Sequence, residues 1–127
     1  MRIRSLAGVV VLVAVLAGCT PPSIGEPVAL PEVLRDDGAT GEYPAVWQPP
    51  DTLTVVLGGS SSCPTIPTGI EERDGEVRIT LHRSAGLVCT TDLVVAPVAF
   101  ALEGGRPDAV VLLLDGEEHP LELIDQP

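Results

Sequence analysis

"TGIEERDGEVRITL", residues 68–81, decides the fold. Asp74-Gly75 stands between two runs of strand-forming residues, and Asp-Gly between such runs is a strong signal for a two-residue β-hairpin turn. Once the turn is placed there, the register follows. Arg73 faces Glu76, Glu71 faces Arg78 and Ile70 faces Ile79. Both charged pairs then share one face of the hairpin, while Ile70, Val77, Ile79 and Leu81 share the other. Glu72, near the tip, is the one charge on the apolar face. Opposite charges directly across two strands contribute roughly 0.2–1 kcal/mol per pair. Turn chemistry, charge and apolar pattern thus agree on one arrangement.

The same signals recur on either side. Leu53, Val55 and Leu57 alternate with Thr52, Thr54 and Val56, a period-two pattern. "PVAFALEGG" places Val98, Phe100 and Leu102 on one side of a further strand. "AVVLLLDGEEHPLEL" predicts a second hairpin around Asp115-Gly116, with Val110, Leu112 and Leu114 on the face of Leu121 and Leu123. Pro120 puts the last strand at a sheet edge, because proline donates nothing to a ladder. The expectation is an all-β domain over residues 51–127, a small antiparallel β-sandwich or open barrel of about six strands. Tyr43, Trp47 and Phe100 are the only aromatics of the chain, so the core is thin and a covalent staple is expected.

Upstream, residues 20–50 hold seven prolines. Proline interrupts helices and strands, so residues 19–50 are expected to form a disordered tether. Its reach would lie between roughly 30 Å as a coil and roughly 95 Å as a polyproline-like rod. Tyr43 and Trp47 are expected to pack on the rim of the domain.

The chain opens "MRIRSLAGVVVLVAVLAGCT". Arg2 and Arg4 form a basic head, and residues 6–18 are small or apolar without a charge. A bilayer-spanning helix needs about 20 apolar residues, so this shorter run predicts an export signal, residues 1–18. Leu16-Ala17-Gly18-Cys19 resembles the lipobox of bacterial lipoproteins. The resemblance implies cleavage between Gly18 and Cys19 and diacylglycerol on the Cys19 sulfur. It places the protein on the extracytoplasmic face of the cell membrane, held through that lipid. The competing reading is an ordinary signal peptide that happens to contain a cysteine.

All 18 acidic residues follow Cys19, with five of the seven arginines and no lysine, so the mature net charge is 5 − 18 = −13. Such a surface argues against nucleic acid as a partner and against adhesion to anionic lipid.

Outside the cytoplasm a disulfide forms and persists. Cys63, in "GGSSSCPTIP" (residues 58–67), and Cys89, in "SAGLVCTTDL" (residues 84–93), remain for one. "GGSSSCPTIPTGI" and "CTTDL" also resemble short, uncharacterised lipid-anchored proteins of actinobacteria, over residues 53 to about 95. That resemblance implies the same disulfide and transfers no activity.

Other chemistries are weaker matches. A catalytic cysteine needs a nearby base, and the only histidines are His82 and His119, both in strand-like surroundings. A zinc site wants four ligands at short spacing. "GGSSS" departs from the G-x-S-x-G nucleophile elbow. The acids at the hairpin tips lack the order of a calcium loop. No cofactor is expected. The leading expectation for function is a non-catalytic binding or accessory module with an envelope protein partner. The alternatives are an envelope hydrolase using Ser60, Ser61 or Ser62 with His82 or His119, and a protease inhibitor presenting the Cys63 loop.

Overall fold

The computed structural model describes residues 22–35, 43–83 and 88–127. Nine strands run in chain order: β1 Glu26–Pro27, β2 Ala45–Gln48, β3 Thr52–Gly59, β4 Thr65–Arg73, β5 Glu76–Arg83, β6 Val94–Ala101, β7 Ala109–Leu114, β8 Glu117–Leu121 and β9 Leu123–Asp125. They form two sheets, ordered β1-β6-β3-β2-β9 and β4-β5-β7-β8. The domain is a β-sandwich, as the alternation of apolar residues predicts.

The β4–β5 hairpin has the predicted register: Arg73 opposite Glu76, Glu71 opposite Arg78 and Ile70 opposite Ile79. Asp74 and Gly75 have φ values of 50° and 80°, the left-handed pair that a tight, right-twisted hairpin turn requires. A Cβ on Gly75 would meet Asp108 Oδ2 at 2.5 Å, and the Asp108 N–H donates to the Gly75 carbonyl at 2.7 Å. The tip is therefore clamped by the chain entering β7. Arg78 bonds Glu76 on its own strand and Glu118 on β8. These two carboxylates, Glu118 foremost, hold its guanidinium above the ordinary arginine range. The second hairpin turns at Asp115 and Gly116, φ 52° and 78°, and β8 with Pro120 is a sheet edge, as expected.

The main core lies between the sheets. Leu53, Val55 and Leu57 from β3 and Val98, Phe100 and the adjoining Leu102 meet Val77, Ile79, Val110 and Leu112 from the other sheet. These are the inward positions of the sequence pattern. Leu121 and Leu123 pack against the same core from opposite sheets, since the chain changes sheet between β8 and β9.

Residues 19–50 depart from the expected tether in their described part. β1 pairs with β6, and β2 sits between β3 and β9 inside its sheet. A 3-10 turn, Glu32–Leu34, lays Leu34 with Val46 and Val56 in a second cluster on the outer face of the same sheet. Trp47, expected on the rim, is 4% exposed in the main core. The prolines permit this because they avoid positions that must donate to a ladder. Pro27 lies in a two-residue edge strand, Pro31 precedes the 3-10 turn, Pro44 precedes β2, and Pro49-Pro50 form the turn into β3. Gly25 has φ 82°, and a Cβ there would stand 2.5 Å from Val98 Cγ1. Only glycine lets the N-terminal segment lie this close to the core.

Among the described residues nine strands thus replace the six expected, the additions being β1, β2 and β9. Two of the ladders, β5 with β7 and β2 with β9, are parallel rather than antiparallel. In each parallel pair the chain visits the other sheet between its two members, which supplies the long connection that parallel pairing needs.

Candidate functional site

The two cysteines meet where the chain changes sheet. Residues 60–64 carry it from β3 in one sheet to β4 in the other, and the chain returns from β5 to β6 through residues 88–93. Cys63 and Cys89 join these two crossings with a 2.06 Å S–S bond, their Cα atoms 5.4 Å apart. Cys63 is 2% exposed, whereas Cys89 lies at the surface. The disulfide expected from sequence is therefore present, and it binds the sheets to each other at one end of the sandwich.

The three serines serve the same junction. Ser60 Oγ accepts the Cys63 N–H at 2.9 Å, the local side-chain turn to which serine is suited. Ser62 Oγ accepts the Thr90 N–H at 2.8 Å and lies 3.1 Å from Thr90 Oγ1. Ser61 donates its N–H to Asp92 Oδ1 at 3.3 Å, and its hydroxyl lies 3.2 Å from Thr90 Oγ1. The Thr90 hydroxyl in turn donates to Asp92. Hydrogen bonds from Thr90 first, then Ser61, hold the Asp92 carboxyl below the ordinary aspartate range. Thr90 and Asp92 were not among the sequence candidates. The one signal for them is "CTTDL" itself, a dense run of hydroxyls and an acid next to a cysteine.

This carboxylate network gives a pH prediction with a definite sign. A folded-state pKa depressed below the unfolded value of about 3.9 adds stability above that value. The contribution is lost as pH falls through the folded pKa. Asp92→Asn is therefore expected to lower the melting temperature at neutral pH. The gap between wild type and variant should close as the pH is taken below the aspartate range. A gap that is constant from neutral to acid would mean that the charge of Asp92 is not what matters. Asp125 behaves similarly through Arg106, whose Nε donates to it at 2.7 Å, so Asp92 should be compared with its own variant rather than with the bare acid curve.

The histidines lie elsewhere. His82 on β5 faces Ile66, and His119 on β8 faces Leu112, with Glu117 Oε2 3.8 Å from its Nε2. A groove of about 570 Å³ opens beside β8, lined by Tyr43, Leu57, Leu81, Arg83, His119 and Leu121 among others. His119 belongs to its wall, and none of the three serines does. Among the described residues no hydrogen bond joins Ser60, Ser61 or Ser62 to either histidine. The serine–histidine pair that a hydrolase would use is not assembled by these contacts.

Among the described residues no three His, Cys, Asp or Glu side chains are grouped to hold a metal ion. No helix among them is long and apolar enough to cross a membrane. Gly18 and Cys19, the expected cleavage and lipidation residues, lie outside the described residues. Comparison with protein-family models, with curated proteins and with solved structures found no match.

Proposed function

We propose that this chain is a lipid-anchored, extracytoplasmic binding module of the cell envelope, held to the membrane by diacylglycerol on Cys19 after removal of residues 1–18. The observation that carries the reading is the Cys63–Cys89 bridge. Such a bond persists in oxidising compartments and is rare where thiols are kept reduced. The basic head, short apolar run and Leu16-Ala17-Gly18-Cys19 box of the N-terminus supply the matching route and anchor. A non-catalytic role fits a junction whose polar groups are spent on holding two sheets together.

The fold changes one part of the sequence expectation. The Ile24 N–H is already docked on the Pro67 carbonyl at 2.9 Å. From Cys19 to Ile24 is 24 − 19 = 5 residues, which reach at most about 18 Å when extended. A lipid on Cys19 would therefore keep the domain close above the headgroups instead of at the end of a long spacer.

Mass spectrometry of the protein extracted from membranes tests the reading. The expected mass is that of residues 19–127 plus a diacylglyceryl group, with no free thiol. An uncleaved or unlipidated chain with two free thiols would overturn it.

A further inference from the structure

The segment Leu93 to Leu102 carries no charged side chain. Such a continuous apolar run belongs to strands covered on both faces, and half of it is covered. Val98 and Ala99 lie between β3 and β1, and Val98, Phe100 and Leu102 enter the core. Residues 94–96 are different. They pair with β3 on one side, and among the described residues nothing pairs with them on the other.

The direction of the free groups follows from the ladder. Val28 donates its N–H to the Pro97 carbonyl at 3.1 Å, on the β1 side of β6. Backbone groups alternate sides along a strand with period two, so the N–H and C=O of Val95 also point to the open edge. The side chains around them are exposed as well. Of the six exposed large hydrophobics among the described residues, three are consecutive here: Leu93 at 68%, Val94 at 45% and Val95 at 38%.

The other edges of the sandwich are guarded. β4 carries Glu71, Glu72 and Arg73, β8 carries Glu117, Glu118 and Pro120, and β1 and β9 are two and three residues long. Charges, proline and shortness are the usual protections against unwanted strand pairing. Residues 94–96 carry neither charge nor proline, although the open stretch is as short as β9.

We propose that this open edge of β6 is a docking site for an extended segment of a partner protein, apolar at its centre and basic at its flanks, which adds to the sheet as a further strand. An exposed Val95 N–H and C=O flanked by apolar side chains is matched by backbone in the β conformation with apolar side chains of its own. The charge of this chain selects among occupants. A second mature copy would bring a further formal charge of 5 − 18 = −13 to the same place, and like net charge opposes association. A basic segment is attracted instead. This inference deepens the binding-module reading and rests on it for its setting, but not on the lipid, so the mass measurement above and the test below fail separately.

The test uses the whole protein as expressed, in mild detergent. The probe is a synthetic peptide of alternating valine and threonine with paired arginines at each end. Its glutamate-flanked counterpart and a version N-methylated at alternate amides serve as controls. The arginine-flanked peptide is expected to bind saturably and to slow hydrogen exchange of the Val95 amide by about tenfold or more. The glutamate-flanked peptide should bind more weakly, with the difference shrinking as salt is raised. The N-methylated peptide should not protect Val95. Val95→Pro removes the outward donor at a place where no ladder bond is lost, and it should abolish saturable binding of the arginine-flanked peptide with the exchange pattern of the other residues retained. No protection by the arginine-flanked peptide, or equal protection by its N-methylated form, would overturn the proposal. So would protection of Val95 in the absence of peptide that rises with protein concentration, which would assign the edge to self-pairing.

Discussion

Replacing Cys63 and Cys89 together by alanine is expected to lower the unfolding free energy by roughly 3.5 kcal/mol, the chain-entropy value for a closed loop of this length. The sequence separation is 26 residues. For a domain of about a hundred residues that loss corresponds to a fall in melting temperature of roughly 15 °C. The same loss should appear as a lower urea midpoint. The slope should rise, because the uncrosslinked unfolded chain exposes more surface. Alanine at both positions is the appropriate change. A single substitution would leave one free thiol, and a serine at buried Cys63 would add an unpaired hydroxyl to the effect being measured. A shift of only a few degrees would mean that the Ser60–Ser62 and Thr90–Asp92 hydrogen bonds already hold the crossings together without the bridge.

The features legible in the sequence are local ones. Asp74-Gly75 and Asp115-Gly116 need no knowledge of the rest of the chain, because a two-residue turn demands left-handed backbone at its own positions. Arg73 with Glu76 and Glu71 with Arg78 follow from the turn by counting. The disulfide is legible because the lipobox-like box would claim Cys19 and leave Cys63 and Cys89 to pair. What stayed hidden depends on partners distant in sequence. "AVWQ", β2, is four residues hemmed by Pro44 and Pro49, and only the presence of β3 and β9 on its two sides makes it a strand. Leu34 looks like one apolar residue in a proline-rich stretch until Val46 and Val56 are placed beneath it. The parallel pairing of β5 with β7 cannot be read from either strand, since it is set by the excursion through β6 that separates them. Thr90 and Asp92 become a network with the serines only once the bridge brings "CTTDL" beside "SSSCP". The open half of β6 is the reverse case. Its sequence matches a strand covered on both faces, and the difference between that pattern and the observed exposure is what marks it out.

Trp47→Ala is expected to destabilise the protein by about 4 kcal/mol, the range for emptying a large aromatic site in a core. The indole is the largest side chain of a core poor in aromatics, and it belongs to the cluster that also holds Leu53 and Val55 of β3, Phe100 of β6 and Val77 of the facing sheet. Its strand is bonded on both sides. Trp47 lies opposite Leu53 in the antiparallel ladder, and its carbonyl accepts the Gln126 N–H at 2.8 Å. With so much backbone fixed around it, the site has little freedom to collapse, and residual cavity volume adds to the loss. Against a total stability of about 5–15 kcal/mol for a domain of this kind, the change should lower the urea midpoint strongly. The wild-type protein should show the blue-shifted emission of a single buried tryptophan. The measurement also decides between the two accounts of residues 43–50. A surface or spacer position should respond by no more than about 0.5 kcal/mol, with emission at the wavelength of hydrated indole. That outcome would detach β2 from the sheet, and with it β9, whose only ladder partner among the described residues is β2. A loss of several kilocalories instead makes the proline-rich stretch part of the domain's core, and shortens the distance between the body and any lipid on Cys19 to the few residues before Ile24.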